Sequence, residues 1–396
     1  MATDGVLSGL RVLDFGRYIA GPQCAAMLGD LGAEVIRVER PAGAEDRALI
    51  PLSDRADDGA LFLQMNRNKR GMTLNARTPA GREVLGRLVQ SADVVVANLP
   101  DPALRRLGLD YGSLAQIRPD IVLTTVTAFG EEGPWSDRPG FDGVGQVMSG
   151  AAYLSGSGEE PTKSYVLWVD LATAAFCAFA TLAALREREQ SGRGQHVRGS
   201  LLGTALAAAN STLMEEAVLG TGRVRSGNRA QVAGPADIYA TLDGWIIVQV
   251  VGDAMFRRWA GLVGHPELAD DSRFSTDQLR GDHRDELAEI MQPWSAAQTS
   301  DEALDALAAA GIPSGPVLSP AQALTHPQVL AGQWLAPIDR DAGITPPVVG
   351  LPVTMPHGKR TTAWRAPKLG EHTNQILGEL GYEPAAIAQF REKGAI

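Results

Sequence analysis

The chain has 396 residues, which is enough to bury a large core and is more typical of two domains than of one. Hydrophobic residues make up 44% and charged residues 21%, the ordinary mixture of a globular protein. The formal net charge of −10 argues against a general nucleic-acid-binding protein, which needs a basic face, but leaves room for a local basic site for an anion.

The first 200 residues alternate between strand and helix patterns. Strands are predicted at 10–15, 34–39, 93–98 and 121–126, and a helix is predicted at 21–31. Thr78 and Pro79 form the start signal of a further helix that extends to about residue 90. Strands separated by helix-length segments predict βαβ units, and therefore an α/β domain with a Rossmann-like, open parallel sheet.

The character of the chain changes after about Leu219. A large domain is therefore predicted over residues 1–219, followed by a linker at 220–235 that is rich in Gly, Arg and Asn. Residues 236–330 combine a strand at 244–251 with amphipathic helices and predict a smaller α+β domain. Residues 331–396 form a C-terminal segment with short strand signals at 338–361 and a helix at 369–385.

Asp170 lies where a strand-like stretch meets fifteen uncharged residues, 171–185. A carboxylate at this junction is either a helix N-cap, which is the commoner use, or a reactive group held at a helix N-terminus. The same position would keep the side chain ionised at neutral pH, as a nucleophilic carboxylate requires. The absence of a Ser-His-Asp arrangement leaves Asp170 as the best candidate for covalent catalysis.

Neither a membrane nor a metal is indicated. The uncharged runs 171–185 and 199–214 are shorter than the roughly 20 apolar residues that cross a bilayer, and residues 1–8 lack the cationic start of a signal peptide. The histidines are scattered, and neither Cys24 nor Cys177 has metal-ligand spacing. These features predict buried thiols in a cytoplasmic enzyme that holds no metal.

The turn after the first strand resembles a dinucleotide-binding loop but lacks its pattern. Gly16 and Gly21 are five residues apart, and the bulky Tyr18 and Ile19 between them prevent the close approach of a pyrophosphate. NAD is therefore not expected as a cofactor.

Several cations follow predicted strands or lie in their connections. They are Arg40, the group Arg67, Lys69 and Arg70, and the pair Arg105 and Arg106. Each one alone is explained by solvated loop charge. Together they predict a local anion site that holds a phosphorylated cofactor.

These motifs follow one another in the order of a known family. The motifs are Val12-Leu13-Asp14-Phe15, Gly21-Pro22, residues 32–41, residues 66–70, residues 92–98, Phe129-Gly130 with Gly133-Pro134, residues 192–195 and residues 369–373. The chain resembles, nearly from end to end, the class III CoA-transferases, the family of formyl-CoA transferase and carnitine CoA-transferase.

The resemblance implies an interlocked homodimer, in which each subunit is threaded through the other and the C-terminal segment returns to the large domain. It implies an acyl-CoA donor, a carboxylic acid acceptor, and Asp170 as a nucleophile that forms an anhydride and then a CoA thioester. It also implies a set of residues that bind coenzyme A: Ile19, Ala20, Arg40, Leu74, Asn75, Arg77, Asn98, Leu99, Arg106, Gly140, Phe141 and Asp142. Among these, Arg40 and Arg106 would meet the phosphates, and the backbone at Asn98 and Phe141 would flank the thioester.

The chain also departs from the family pattern. Transferases typically have Tyr at the position of Phe141, and formyl-CoA transferase has Gln at that of Ile19, so oxalate is not the expected acceptor. Ile19, Phe141 and Trp168 favour a less polar acyl group, although core packing explains Trp168 equally well.

Two alternatives remain. The first is a 2-methylacyl-CoA racemase, a branch of the family that has His where this chain has Phe141, which cannot exchange a proton. The second is a protein that binds CoA without transferring it.

Overall fold

The computed structural model describes residues 5–52, 59–338, 346–355 and 364–396. The chain forms two compact units. The first comprises Met1–Ser149, Ser164–Met214 and Ala331–Ile396, and the second comprises Gly150–Lys163 and Glu215–Leu330. The domain limits and the linker predicted above stay predictions, because compactness does not show which piece folds independently.

The described residues contain eleven strands and eighteen α-helices. In chain order the strands are β1 (Arg11–Asp14), β2 (Glu34–Glu39), β3 (Lys69–Thr73), β4 (Val94–Ala97), β5 (Val122–Thr127), β6 (Gln195–Ser200), β7 (Ala236–Ala240), β8 (Trp245–Gln249), β9 (Ser314–Pro316), β10 (Leu335–Pro337) and β11 (Pro347–Val349). The helices are α1 (Ala20–Asp30), α2 (Ala60–Met65), α3 (Pro79–Ser91), α4 (Asp101–Leu107), α5 (Tyr111–Ile117), α6 (Asp142–Met148), α7 (Ala151–Leu154), α8 (Trp168–Ser191), α9 (Leu201–Ala208), α10 (Asn210–Leu219), α11 (Asp253–Leu262), α12 (Asp277–Asp282), α13 (Arg284–Ala296), α14 (Ser300–Ala309), α15 (Pro320–Thr325), α16 (Pro327–Ala331), α17 (Thr373–Glu379) and α18 (Pro384–Glu392).

The first unit is built on a six-stranded sheet in the order β3-β2-β1-β4-β5-β6. All neighbouring strands are parallel, so their carboxyl ends lie along one edge. The predicted Rossmann-like parallel sheet is confirmed, and the four strands predicted in the first 130 residues correspond to β1, β2, β4 and β5. The order reverses between β1 and β4.

Both faces of this sheet are covered, as expected for parallel strands. Alternate strand residues point to opposite faces, so Val95 lies in one core cluster and Val94 and Val96 lie in the other. The first cluster includes apolar residues of α3 and α17, and the second includes residues of α1 and α8. The predicted start of α3 is confirmed, since the Thr78 hydroxyl accepts the N–H of Gly81.

Strand β3 was not predicted, because the charges at its start look like a loop in the sequence. In the structure it is the edge strand beside β2, and α17 packs near it. The helix predicted at 369–385 is two helices, α17 and α18, separated at Gly381, where the backbone has a φ of 83°. Part of the strand signal predicted at 338–361, namely residues 339–345 and 356–361, lies outside the described residues.

The second unit contains a three-stranded antiparallel sheet in the order β7-β8-β9. The predicted strand at 244–251 corresponds to β8 and the amphipathic helices that follow begin with α11. A core that includes the buried Phe256, Trp259 and Met291 joins these helices to the sheet. The α+β character predicted for the smaller part of the chain is confirmed.

Helix α8 is the one helix of the described ranges long and apolar enough, by length and composition alone, to cross a membrane. One face of it, including Val169, Ala174 and Cys177, belongs to the core cluster beside the sheet. A core helix of a globular protein passes the same test, so this property is weak support for a membrane span.

Candidate active site

The carboxyl ends of β1 and β4 form the crevice where open parallel sheets commonly bind ligands, because the strand order reverses there. The loop after β1 is held to the end of β4 by the Asn98 side chain. Its Oδ1 accepts the N–H of Arg17 at 2.7 Å, and its Nδ2 donates to the carbonyl of Arg17 at 2.8 Å. The side-chain amide of Asn98 therefore fixes the loop. A contact of Asn98 with CoA, as expected from the sequence, would have to use its backbone.

A buried network of charges lies beneath the same loop. The Asp14 carboxylate accepts the N–H of Gly16 at 2.7 Å, and the Asp46 carboxylate accepts the N–H of Tyr18 at 2.9 Å. Arg37 donates to the carbonyl of Gly16 and to Asp46. Tyr18 has a φ of 60°, a left-handed conformation that costs a non-glycine residue free energy. The network thus holds a strained loop in place.

The predicted anion site at Arg67, Lys69 and Arg70 is wrong. All three side chains are buried, and each pairs with a carboxylate of its own unit. Lys69 donates to Asp14 at 2.7 Å, Arg67 to Asp30 at 2.5 Å, and Arg70 to Glu34 and Glu379. Burial lowers the pKa of Lys69 to about 8, although Asp14 favours its charged form. Lys69 and Arg67 therefore neutralise the buried acids Asp14 and Asp30, and Arg70 pairs with two partly exposed glutamates.

The remaining predicted cations are exposed. Arg40 pairs with Glu45 at 2.7 Å, and Arg105 pairs with Asp101 at 2.7 Å. Arg77 and Arg106 are exposed and form no ion pair with any residue that the structure describes. Arg40 and Arg106 were expected to bind phosphates. Of these two, only Arg106 has no ion pair with a described acid.

Helix α6 begins at a second contact with the loop after β1. The ring of Phe141 meets that of Tyr18 edge to face, with 5.5 Å between the ring centroids. The next residue, Asp142, is only 1% exposed. Its Oδ2 accepts the N–H of Val169 at 2.8 Å and the N–H of Asp170 at 3.0 Å, while its Oδ1 accepts a hydrogen bond from Gln146. Asp142 therefore caps α8, the helix that carries Asp170, from another helix.

The interpretation of Asp170 as a helix N-cap is wrong. Helix α8 begins at Trp168, Leu167 occupies the capping position, and Asp170 is the third helical residue. The N–H groups that its side chain would have accepted are bound to Asp142. Within the described ranges, no group donates a hydrogen bond to the Asp170 carboxylate.

The charge state expected for Asp170 is also corrected. Burial raises the pKa of this carboxyl to about 7, and the nearby charge of Asp142 acts in the same direction. In the free chain the group is therefore partly protonated near neutral pH, and a higher pKa accompanies greater intrinsic nucleophilicity of the carboxylate.

The structure connects some of the residues expected at the site and leaves others apart. The loops that carry Ile19 and Asn98 meet Phe141 through Arg17 and Tyr18, and Asp142 joins them to Asp170. Ile19 and Ala20 are buried at the start of α1, and Gly140 immediately precedes Phe141. Arg40 is linked to this group through Glu45, which lies 2.7 Å from Arg40 and 3.8 Å from Arg17. No hydrogen bond or ion pair among the described residues joins Arg77 or Arg106 to it.

The remaining expected contacts have other neighbours. The Leu74 side chain lies in the core, so only its backbone is available to a ligand, whereas the Leu99 side chain is partly buried against that core. Asn75 binds the C-terminal residues, with its N–H donating to the carbonyl of Ala395 at 2.7 Å. These positions stay predictions for CoA binding.

Sequence reasoning missed Tyr18, Asp46 and Gln146. The spacing of Asp142 and Gln146, four residues apart, was a visible signal for a pair on one helix face. The contacts of Asp46 with Tyr18 and Arg37 join residues far apart in sequence and gave no local signal. No group of three or more His, Cys, Asp or Glu side chains suited to a metal ion occurs within the described ranges.

Comparisons with known proteins show which family and which fold the chain has. The family model described as CoA-transferase family III matches residues 7–373. The chain is 34% identical to the succinate–glutarate CoA-transferase of Agrobacterium fabrum, covering 94% of this chain and 95% of that one. It is 33% identical to the succinyl-CoA–D-citramalate CoA-transferase of Chloroflexus aurantiacus, covering 98% of each. The crystal structure of a CaiB/BaiF family protein from Brucella suis is similar, with a TM-score of 0.83 and 32% identity over 95% of this chain and all of that one.

Proposed function

The chain belongs to CoA-transferase family III, and we propose that it moves CoA from an acyl-CoA to a carboxylic acid through covalent intermediates on Asp170. The observation that carries this proposal is the environment of that carboxylate. It is buried, it lacks an internal hydrogen-bond donor within the described ranges, and its pKa is raised to about 7. Such a group is a stronger nucleophile than an ordinary surface aspartate.

The proposed exchange conserves every atom without a further reactant. An Asp170 oxygen attacks the carbonyl carbon of the donor thioester, the carbon–sulfur bond breaks, and CoA leaves as a thiolate. The thiolate attacks the Asp170 carbonyl of the anhydride, which releases the donor acid and leaves an aspartyl-CoA thioester. The acceptor carboxylate attacks that thioester, and the thiolate then takes the acceptor acyl group and frees Asp170. The covalent intermediates thus divide the direct exchange of CoA between two acids into several acyl transfers, each with a lower barrier.

Coenzyme A would bind along the carboxyl edge of the sheet. The loop after β1 and the end of β4 are rigidly joined by Asn98, which prepares the crevice at the switch point for a ligand. The exposed Arg106, and Arg40 beside Glu45, would meet the phosphates. The chemistry that this proposal describes requires neither a metal nor NAD, and the buried free thiols Cys24 and Cys177 fit a reducing cytoplasm.

The acyl specificity is proposed from Phe141. Its ring is 64% exposed beside the site, whereas Ile19 is buried and Trp168 packs at the edge of the core. An exposed ring favours a less polar acyl group, while the relatives' names refer to succinate, glutarate and citramalate. A panel of acyl-CoA donors tested against monocarboxylic and dicarboxylic acids identifies the substrates. Higher kcat/KM for the monocarboxylic acids supports the role of Phe141, and equal values oppose it.

We also propose a homodimer. The outer face of α8 carries Phe176, which is 55% exposed, and Phe179, which is 72% exposed. Two exposed aromatic side chains one helical turn apart form an apolar patch, and such a patch favours a protein interface. The interlocked arrangement rests on the resemblance to the family.

The decisive variant is Asp170→Ala. Exchange of CoA should fall below a few per cent of the wild-type rate, because no nucleophile remains, while binding of CoA measured by calorimetry should be largely kept. Asp277→Asn is a control for the loss of a carboxylate that lies in the other unit, where Asp277 accepts the N–H of Gly252. Retained exchange in Asp170→Ala contradicts the proposal.

The racemase alternative is tested with a 2-methylacyl-CoA in deuterated water. We expect CoA exchange with an added acid and no deuterium at the α-carbon, because Phe141 stands where proton transfer would need a histidine. Deuterium incorporation without exchange would support the racemase. Binding with neither reaction would support a CoA-binding protein.

A further inference from the structure

We propose that Asp142 is a positioning residue for the nucleophile: it takes the backbone N–H groups at the start of α8 and thereby keeps them from the Asp170 carboxylate. This inference rests on the proposed function of Asp170. It assigns Asp142 a role inside the protein, in place of a side-chain contact with coenzyme A.

The first turn of a helix has free N–H groups that attract a carboxylate. Asp170, as the third helical residue, is placed in that turn and would be the natural acceptor. A carboxylate that accepts such N–H groups is stabilised in its charged form and is a weaker nucleophile. In this chain the N–H groups of Val169 and Asp170 both donate to one oxygen of Asp142, at 2.8 and 3.0 Å.

Asp142 is held firmly for this task. Gln146, one turn later on α6, donates to its other oxygen, and the side-chain carbonyl of Gln146 accepts the N–H of Ser164 at 2.8 Å. Helices α6 and α8 also approach closely, because a Cβ added to Gly145 would lie 2.8 Å from a methyl group of Val169. The first turn of α8 is thus clamped from α6 by hydrogen bonds and by packing.

The clamp also suits a covalent cycle. Asp170 would change from a charged carboxylate to a neutral anhydride, then to a neutral thioester and back. Because Asp142 keeps the N–H groups in every state, the first turn does not have to reorganise when the charge on Asp170 disappears. Preorganised polar groups of this kind lower the cost of each chemical step.

The test separates hydrogen bonding from charge with four variants. Asp142→Ala frees the N–H groups. Asp142→Asn keeps an acceptor for them but turns its NH2 group toward the NH2 group of Gln146. The double variant Asp142→Asn with Gln146→Glu restores the hydrogen bonds around position 142, since the carboxylate introduced one turn later accepts from both the introduced amide and the N–H of Ser164. It loses only the long hydrogen bond of 3.5 Å from Gln146 to the carbonyl of Val166. Asp277→Asn is again the control for loss of a capping carboxylate.

We expect Asp142→Ala to lower kcat about 100-fold, the effect of a misplaced reacting group, with KM for acyl-CoA within about twofold of wild type. Asp142→Asn should be intermediate, and the double variant should recover kcat to within about fivefold of wild type, by the same argument. If Asp142→Ala does not fold, the comparison of kcat between Asp142→Asn and the double variant still tests the inference.

Three results would overturn the inference. A raised KM with unchanged kcat would show that Asp142 contacts CoA. If the kcat of Asp142→Ala per folded enzyme equalled that of Asp277→Asn, the role of Asp142 would be purely structural. A double variant as slow as Asp142→Ala would show that only the charge at position 142 matters. The proposed function itself would be contradicted if the wild-type enzyme exchanged no CoA, or if the exchange did not depend on Asp170.

Discussion

At the scale of single residues, the environment of Asp170 is set by a residue 28 positions earlier in the chain. Burial and the charge of Asp142 both favour the protonated form of Asp170, and the N–H groups that would favour the charged form are taken. The sequence identified Asp170 because it lies where an uncharged run begins. It could not show that Asp142 caps the helix, since capping from another helix leaves no local pattern.

The raised pKa predicts a pH dependence for the reaction. Only the ionised carboxylate is a nucleophile, so kcat/KM for acyl-CoA should rise with pH below about 7 and level off above it. The pH profile of kcat/KM, measured with one acyl-CoA donor, reports the pKa of the nucleophile in the free enzyme. A plateau that continues down to pH 5 would show that Asp170 has an ordinary pKa.

The same shift predicts that the nucleophile costs stability. A carboxyl group with a raised pKa in the folded state binds its proton more tightly there, so the cost is present above about pH 7 and disappears as the pH falls toward the unfolded value of 3.8. Asp170→Asn should therefore raise the free energy of unfolding at pH 8 by about 1–3 kcal/mol, given about 1.4 kcal/mol per pKa unit. The gain should be smaller at pH 5. Equal gains at both values, measured by denaturant titration, would contradict the assignment.

At the scale of elements, strand β3 shows why charged residues misled the sequence analysis. Its Lys69 and Arg70 were interpreted as loop cations for a ligand, but they pair with Asp14 and Glu34 of strands β1 and β2. Strands β1, β2, β4 and β5 were predicted because each contains consecutive buried aliphatic residues. A strand whose charges are neutralised by distant partners has no such signal.

The buried pair predicts a large loss of stability in Lys69→Met. Asp14 would keep Arg37, at 3.6 Å, but would lose its nearest cation at 2.7 Å. Breaking one partner of a buried ion pair typically costs about 3–5 kcal/mol. Lys393→Met, at an exposed position of the same unit, is the control. A free energy of unfolding unchanged in Lys69→Met would contradict the importance of the network.

The close approach of α6 and α8 predicts a separate effect on activity. In Gly145→Ala the new methyl group would meet Val169 at 2.8 Å and the carbonyl of Leu201 at 3.2 Å. We expect the first turn of α8 to shift and kcat to fall about tenfold or more, because reacting groups tolerate little displacement. Gly86→Ala, where the added Cβ would meet no described atom within 4 Å, should keep the wild-type kcat. Equal rates in the two variants would contradict the role of this packing.

At the scale of the whole molecule, the family, the parallel sheet and the two units are consistent with an enzyme that acts on CoA thioesters. The resemblance predicted the family from motifs spread over the chain, and the family match over residues 7–373 confirms it. The composition predicted neither the strand order nor the switch point, because both depend on contacts between distant segments.

The proposed homodimer predicts the effect of a charge on the outer face of α8. Phe179→Glu places a carboxylate at a side chain that is 72% exposed in the single chain and would be buried between two copies. Sedimentation velocity should show a dimer for wild type and monomer or aggregate for Phe179→Glu. Gln190→Glu, at an exposed site near the end of the same helix, should remain dimeric. A monomeric wild-type protein would contradict the dimer.

The most direct test of the account is to capture the acyl group on Asp170. Hydroxylamine added during turnover with an acyl-CoA should convert the activated side chain to a hydroxamate, and mass spectrometry of the digested protein should locate it on the peptide that carries Asp170. The same treatment without acyl-CoA should leave that peptide unmodified. If exchange of CoA proceeds while the peptide remains unmodified in both samples, Asp170 does not carry the acyl group.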